Sequence, residues 1–179
     1  MSLRLREARS YVHENYVPPS ELFFYRPYIG DNQTLMILDV LERLKPKKCF
    51  EWGSGWSTVF FPRFIPEAKW ISVEHLDVFV TRIRPHLPPN TTIIHKLLSG
   101  DYVEEALRWV EGQPFDFIFV DGEKREECLL MASQVLRKGG IVVKHDAGVT
   151  DDPILWDGQD IRSKYEEHGV YACLWWGRK

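Results

Sequence analysis

Two kinds of hydrophobic pattern take turns along the chain. Short apolar runs rich in β-branched and aromatic residues predict buried strands, and apolar residues three and four positions apart predict amphipathic helices. The strand pattern occurs at 48–52, 70–75, 91–98, 115–122 and 141–147. The helical pattern occurs at 34–44, 57–64, 77–87, 101–112 and 124–140. Two glycines mark the end of the last of these segments.

This alternation predicts βαβ crossovers, and therefore an α/β fold with a doubly wound, mainly parallel sheet that helices cover on both faces. Such sheets bind ligands at the carboxyl ends of their strands, near the point where the strand order reverses. A chain of 179 residues suits one domain, 1–179. We divide it into an N-terminal helical and loop extension (1–33), a ligand-binding core (34–147) and a C-terminal helix and strand (148–179).

The two ends of the chain carry weaker patterns. Residues 3–15 predict a helix, and prolines and a glycine break the aromatic stretch 17–33 that follows it. These aromatic side chains must pack on something, so we expect 1–33 to lie over or beside the mouth of the binding cleft. At the other end, 157–169 predicts a helix and leaves only 170–176 for a strand. We therefore expect a shortened C-terminal strand region.

Composition and charge narrow the class of protein. The chain is 44% hydrophobic with a net charge of −3, so charge alone indicates no nucleic-acid or membrane partner. The first residues have no apolar region of a secretory signal, and no segment approaches the length of a membrane span. The three cysteines, Cys49, Cys128 and Cys173, lack CxxC spacing. We therefore expect them to be core residues of a protein in a reducing cytoplasm. The sequence is compatible with a homodimer.

The stretch FEWGSGWST, 50–58, joins the first predicted strand to the next helix. Its glycines allow a sharp turn and a close approach of a ligand to the backbone. A dinucleotide fingerprint would need a third glycine where Thr58 stands. The pattern is instead acidic-x-Gly-x-Gly-x-small, which begins at Glu51 and ends at Ser57. The alternative is a simple strand-to-helix turn.

Polar residues follow the next two strands as well. Glu74 comes 19 residues after Gly55, a spacing at which a carboxylate can accept the hydroxyl groups of a ribose. The sequence 99–101, Ser-Gly-Asp, follows the third strand. It is interpreted either as a helix N-cap or as a polar edge beside an adenine ring, and the two are compatible.

The last two strands of the core end in titratable residues. Asp121 and Lys124 follow the fourth strand, and His145 and Asp146 follow the fifth. Asp121, His145 and Asp146 offer two carboxylates and one imidazole, which suit a divalent ion such as Mg²⁺ or Mn²⁺. Alternatively they hold a substrate by hydrogen bonds. Lys124 is either a catalytic base or a solvated lysine at a helix start.

Taken together, FEWGSGWST, SVEH, SGDY, FDFIFVDGEK and LRKGGIVVKHDA resemble the class I S-adenosylmethionine-dependent methyltransferases, and most closely their small O-methyltransferase-like branch. The resemblance covers about 34–147 and implies a Rossmann-like methyltransferase fold. It implies that the loop after the first strand cradles the methionine end of the cofactor, that Glu74 takes the ribose and that Ser99 to Asp101 lie near adenine. The candidate cofactor-binding residues are Glu51, Gly53, Ser54, Gly55, Ser57, Thr58, Glu74, His75, Ser99, Gly100, Asp101 and Asp121.

The same resemblance implies a catalytic site. In metal-dependent members an Asp follows the fourth strand, a lysine base lies three residues later, and an Asp-Asn pair follows the fifth strand. Asp121 and Lys124 match the first two features, whereas His145 and Asp146 replace the pair. The expected function is methyl transfer from S-adenosylmethionine to an oxygen of a small-molecule acceptor, with Lys124 or His145 as the base. A non-catalytic cofactor-binding or nucleotide-binding protein and an NAD-type oxidoreductase are the alternatives.

Overall fold

The protein is described here by a computed structural model that covers residues 26–110, 112–146, 155–156, 158–171 and 173–179. The α-helices are α1 (Asp31–Leu44), α2 (Trp56–Phe60), α3 (Asp77–Ile83), α4 (Glu105–Trp109) and α5 (Arg125–Val135). Three 3₁₀ turns follow at Phe61–Phe64, Arg84–His86 and Ile161–Lys164. The strands are β1 (Lys48–Trp52), β2 (Lys69–Glu74), β3 (Thr91–His95), β4 (Phe115–Val120), β5 (Leu136–Lys144), β6 (Leu155–Trp156), β7 (Gln159–Asp160), β8 (Glu167–Tyr171) and β9 (Leu174–Arg178).

Seven strands form one sheet in the order β3-β2-β1-β4-β5-β9-β8. The first five in this order pair in parallel, and β9 is antiparallel to β5 and to β8. The strand order reverses between β1 and β4, so the crevice for a ligand opens at the carboxyl ends of these two neighbours. The α/β prediction and the mainly parallel sheet are confirmed.

Alternate side chains of each central strand enter two separate cores. On one face Phe50 and Trp52 of β1 pack with residues of α4 and α5. On the other face Cys49 packs with Trp70 and with side chains of α1. Every residue of β4 is buried, because helices cover the sheet on both sides. The period of two in each strand therefore fixes which residues at the strand ends face each side of the sheet.

Four predicted helices are shorter in the structure. Those predicted over 57–64 and 77–87 end at Phe60 and Ile83, and a 3₁₀ turn follows each of them. The helix predicted over 101–112 is confined to α4, after a run of turns. The helix predicted over 124–140 ends at Val135, and β5 begins at once with Leu136 opposite Phe115. Gly139 and Gly140 do not end the helix. They lie within β5, where its pairing with β4 is irregular, and Gly139 has a φ of +73°.

The C-terminal region is not shortened, contrary to the prediction. Two strands form where one was expected, because β8 pairs antiparallel with β9 over its whole length, from Glu167 opposite Arg178 to Tyr171 opposite Leu174. Cys173, between these strands, has a φ of +65°, the left-handed backbone that short hairpin turns require. The helix predicted over 157–169 is replaced, in the described residues, by β7, one 3₁₀ turn and the start of β8.

The predictions for the N-terminal helix, 3–15, and for most of its aromatic stretch lie outside the described residues. Of the described part, Ile29 is buried against α1, whereas Tyr28 is 81% exposed. The position of 1–33 over the cleft stays a prediction. Within the described ranges, none of the helices has the length and apolar character needed to cross a membrane.

Candidate active site

The loops after β1 and β4 touch through two glycines. Gly53 has a φ of +88°, and a Cβ atom on it would lie 2.4 Å from the backbone of Gly122. The backbone N–H of Asp121 donates to the carbonyl of Trp52 at 2.8 Å, next to this contact. Glycine is required at position 53 both by its left-handed backbone and by the lack of space. The contact brings the glycine loop (Gly53, Ser54 and Gly55) beside the acid that ends β4.

All three backbone N–H groups of the glycine loop are already bonded within the protein. Gly53 donates to the carbonyl of Val73 at 2.9 Å, Ser54 to Oε2 of Glu74 at 2.7 Å and Gly55 to Oγ1 of Thr58 at 3.1 Å. A phosphate needs free N–H donors at such a turn. A ligand that approaches this loop must therefore bring hydrogen-bond donors or positive charge itself.

Glu51 lies beneath the glycine loop with none of its surface exposed. Its carboxyl group accepts from the hydroxyls of Ser57 at 2.6 Å and Thr58 at 2.7 Å, and from Nε1 of Trp70 at 2.9 Å. Burial raises the pKa of Glu51 to about 7, against the opposing effect of these hydrogen bonds. The sequence predicts that Glu51, Ser57 and Thr58 contact the cofactor. All three are buried, and Ser57 and Thr58 are hydrogen-bonded to Glu51, so direct contact stays a prediction that this placement does not support. They support the loop from below.

Replacing Glu51 by glutamine is expected to remove a pH dependence of folding stability. Since the pKa of Glu51 is raised from 4.5 to about 7 on folding, its contribution is fully present below about pH 4.5 and is lost as the pH rises through about 7. The difference amounts to about 3 kcal/mol at most. Urea unfolding between pH 5 and 8 should show that the parent loses stability relative to Glu51→Gln over this window.

The control is Glu67→Gln, which changes an exposed glutamate before β2 and should keep the pH dependence of the parent. A parent-minus-variant difference for Glu51 that stays constant with pH would contradict the assignment of this proton to the buried carboxyl group.

Glu74 ends β2 and its side chain is 4% exposed. Oε1 accepts from the backbone N–H groups of His75 and Leu76, both at 2.8 Å, and Oε2 accepts from Ser54. The ring of His75 is partly exposed and packs edge-on against Tyr102, with 6.1 Å between centroids. Glu74 thus ties the end of β2 to the glycine loop, beside the crevice where the sequence predicts the ribose.

The predicted adenine edge belongs to a network of charges. Asp101 accepts from Nζ of Lys96 at 3.1 Å and from Nη2 of Arg108 at 2.6 Å, and Lys96 also contacts Glu105. The hydrogen bond from Lys96 lowers the pKa of Asp101. Ser99 and Gly100 are exposed. Because α4 begins at Glu105, neither Ser99 nor Asp101 is its N-cap, and that interpretation is wrong.

Asp121, His145 and Asp146 come together as predicted, with one donor atom of each within 4.8 Å of the others. Nδ1 of His145 donates to Oδ1 of Asp121 at 2.7 Å, since an ionised carboxylate can only accept. Nε2, on the other side of the ring, lies 3.4 Å from Oδ1 of Asp146. Burial lowers the pKa of His145, but the hydrogen bond and charge of Asp121 and the charge of Asp146 outweigh it, and the net pKa is raised.

Arg125 is a member of this site that sequence reasoning missed. Its Nε donates to the carbonyl of Gly122 at 2.8 Å, and its Nη1 donates to the carbonyl of His145 at 2.9 Å and to Oδ2 of Asp146 at 3.1 Å. Nη2 lies 3.9 Å from Oδ1 of Asp121. The signal in the sequence was an acid and a base four residues apart, at the start of a helix.

Lys124 does not join the cluster. It is exposed, its backbone has a φ of +51°, and its Nζ donates to the carbonyl of Leu98 at 2.8 Å. The side chain therefore spans from the β4 loop to the segment after β3. The role of Lys124 as a catalytic base stays a prediction, and this contact does not support it.

Comparison with known proteins places this arrangement in a family. The family model described as "Methyltransferase domain" matches residues 50–147, which is more than half of the chain. No curated protein sequence matches the chain. The matched residues include both glycine-containing loops, Glu74 and the His145 cluster.

Several solved structures share the fold. An O-methyltransferase from Bacillus cereus in complex with SAH is 16% identical, with 100% of this chain and 92% of that chain covered and a TM-score of 0.53. A methyltransferase-like protein from Silicibacter pomeroyi is 16% identical over 76% and 82%, with a TM-score of 0.57. The MycE methyltransferase of the mycinamycin biosynthetic pathway, in complex with Mg and SAH, is 14% identical over 96% of this chain and 54% of its own, with a TM-score of 0.65.

These likenesses agree with the α/β fold and the mainly parallel seven-stranded sheet. The family match and Thr58 in place of the third glycine of a dinucleotide fingerprint together disfavour an NAD-type oxidoreductase. The protein belongs to the methyltransferase-domain family and is an S-adenosylmethionine-dependent methyltransferase.

Proposed function

We propose that the protein transfers the methyl group of S-adenosylmethionine to an oxygen of a small-molecule acceptor, with His145 as the base. The observation that carries this proposal is the hydrogen bond between Nδ1 of His145 and Asp121. It leaves Nε2 as the nitrogen that can accept a proton. The pair lies directly beside the glycine loop, because Asp121 is bonded to Trp52 and Gly122 contacts Gly53.

The glycine loop is assigned to the methionine end of the cofactor. Its N–H groups are all bonded internally, so the loop disfavours the phosphates of a dinucleotide. S-adenosylmethionine brings a protonated amine and a positively charged sulfur, both of which suit a site without free donors. Glu51, Ser57 and Thr58 act beneath the loop and hold its shape.

Glu74 is assigned to the ribose. An ionised carboxylate accepts about four hydrogen bonds, and three positions are taken by the N–H groups of Ser54, His75 and Leu76. One position remains on Oε2, which suits one ribose hydroxyl and not the two expected from the sequence. His75 and residues 99–101 are assigned to the adenine side of the crevice.

Replacing Glu74 by alanine is expected to weaken binding of S-adenosylmethionine by about ten- to hundredfold, because a hydrogen bond to a charged group contributes roughly 1.5–3 kcal/mol. Isothermal titration calorimetry measures the change. Glu67→Ala, at the opposite end of β2, is the matched control and should bind as the parent does. Unchanged affinity of a folded Glu74→Ala variant would show that the ribose lies elsewhere.

The reaction needs positioning and the removal of one proton. The acceptor oxygen attacks the methyl carbon in line with the bond to sulfur, the carbon–sulfur bond breaks, and the electron pair stays on the sulfur of the departing S-adenosylhomocysteine. Nε2 of His145 takes the proton of the acceptor hydroxyl, and Asp121 stabilises the imidazolium that forms. Lys124 is not assigned to this step, because its amine donates a hydrogen bond to the carbonyl of Leu98.

The arrangement does not fit a three-ligand site for a divalent ion. The two carboxylates contact different nitrogens of one imidazole, and a metal can take only one of these. Asp121 is already the acceptor for Nδ1–H, and the guanidinium of Arg125 is bonded to Asp146. No step of the reaction is therefore routed through a metal.

The test is product formation. The protein is incubated with S-adenosylmethionine labelled in its methyl group and a panel of small acceptors that carry hydroxyl, amine or thiol groups. We expect S-adenosylhomocysteine and a product labelled on oxygen, identified by mass spectrometry. Transfer to nitrogen or sulfur alone would refute the oxygen acceptor. Tight cofactor binding without turnover of any acceptor would support the non-catalytic alternative.

A further inference from the structure

We propose that Arg125 is a built-in cation between the carboxylates of Asp121 and Asp146, and that methyl transfer by this protein needs no divalent ion. The catalytic part of this inference, that methyl transfer needs no divalent ion, rests on the proposed function. Its structural part, that the guanidinium excludes a metal, does not depend on the acceptor. MycE, which has the same fold, was solved in complex with Mg.

The position of the guanidinium is fixed from several sides. Three of its N–H groups are bonded, to the carbonyls of Gly122 and His145 and to Oδ2 of Asp146. These partners come from the loops after β4 and β5, so Arg125 joins the two loops that carry the His145–Asp121 pair. Its side chain is 26% exposed, so the protein covers most of its surface.

The charges of the site balance without a metal once His145 takes a proton. Asp121 and Asp146 carry two negative charges, Arg125 carries one positive charge, and His145 gains another when it takes a proton. A divalent ion among the same carboxylates would lie close to the guanidinium and would be repelled by it. It would also compete with Nδ1–H of His145 for the oxygen of Asp121.

Arg125 is a positioning residue for the reaction. It holds the main chain of His145 through the carbonyl oxygen, while the backbone N–H of His145 donates to Val120 at 2.9 Å. These bonds, with Asp121 on Nδ1, set the direction in which Nε2 points. Asp146, whose φ of +53° is unusual for a residue other than glycine, is held by the same guanidinium.

The experiment is a gain of metal binding. Mn²⁺ is titrated into the parent, Arg125→Ala and Arg125→Gln, each saturated with S-adenosylhomocysteine, and bound Mn²⁺ is followed by electron paramagnetic resonance. We expect Mn²⁺ to bind the folded variants at least about tenfold more tightly than the parent, because the repulsion between the guanidinium and the ion is removed. A second substitution, Asp146→Asn, should abolish the gain.

The control is Arg178→Ala, which removes an arginine 3.8 Å from Glu167 on the β8–β9 hairpin and should not change Mn²⁺ binding. Tight Mn²⁺ binding by the parent itself would overturn the proposal, whether or not the variants fold. A folded Arg125→Gln or Arg125→Ala variant that gains no Mn²⁺ binding would overturn it as well.

An activity measurement separates this inference from the proposed function. With any acceptor that is turned over, excess chelator should leave the rate of the parent unchanged, and loss of the rate would overturn the inference. Arg125→Gln should lower kcat and leave the affinity for S-adenosylmethionine unchanged. If no oxygen acceptor is found, the proposed function fails, but the Mn²⁺ titration still decides the role of Arg125.

Discussion

A Gly53→Ala variant is expected to lose about 2–5 kcal/mol of folding stability together with cofactor binding. A side chain in the left-handed region costs about 1–2 kcal/mol, and overpacking costs about 1–3 kcal/mol more. The added Cβ would lie 2.4 Å from the backbone of Gly122, which cannot rotate away as a side chain can. Thermal unfolding and calorimetry with S-adenosylmethionine measure the two losses.

Gly112→Ala is the matched control for Gly53→Ala. Gly112 has a similar positive φ of +76°, but a Cβ there would meet no atom within 4 Å. It should show only the cost of the backbone conformation and should bind the cofactor normally. Equal losses in the two variants would mean that the contact between the β1 and β4 loops is unimportant. That result would remove the link between the glycine loop and Asp121.

Replacing His145 by alanine is expected to lower kcat by about 10²- to 10⁴-fold, the usual contribution of a general base. Cofactor affinity should stay near that of the parent, because His145 is assigned to the acceptor. His168→Ala, which removes an exposed imidazole on β8, is the control and should retain the parental rate. A His145→Ala variant with a parental rate would exclude His145 as the base.

The pH dependence of kcat is a second test of His145 as the base. His145 accepts a proton only when neutral, so kcat should rise with pH through the pKa of His145. That pKa is raised above its ordinary 6.5 by Asp121 and Asp146. Asp121→Asn removes a hydrogen bond and a charge that raise it, so the midpoint should move to lower pH. A midpoint that moves upward or not at all would contradict the pairing.

Local sequence patterns were sufficient for the first five strands, because the period of hydrophobic residues reports burial directly. They also placed Gly53, Glu74, Asp121 and His145 at strand ends, and the topology brings strand ends to one edge of the sheet. The extent of α5 was less predictable. Gly139 and Gly140 are typical both of a helix end and of an irregular strand, and only the pairing of β5 with β4 decides between them.

The C-terminal hairpin shows the same limit. Residues 157–169 have a composition that allows a helix, and the strand state is selected by pairing: Trp176 lies opposite Val143 and Gly169. Such contacts join residues that are far apart in the chain. A pattern within a window of about ten residues contains no information about them.

For the candidate site, local patterns were enough to identify the chemical groups at the strand ends and the glycine turn that precedes the acid of β2. What each of these groups does depends on the folded arrangement. In the folded protein Glu51 is buried beneath the loop, Lys124 donates a hydrogen bond to the carbonyl of Leu98, and Arg125 joins the loops after β4 and β5. The physical reason is that hydrogen bonds and ion pairs depend on distances of a few ångströms between side chains, and packing of the whole sheet sets these distances.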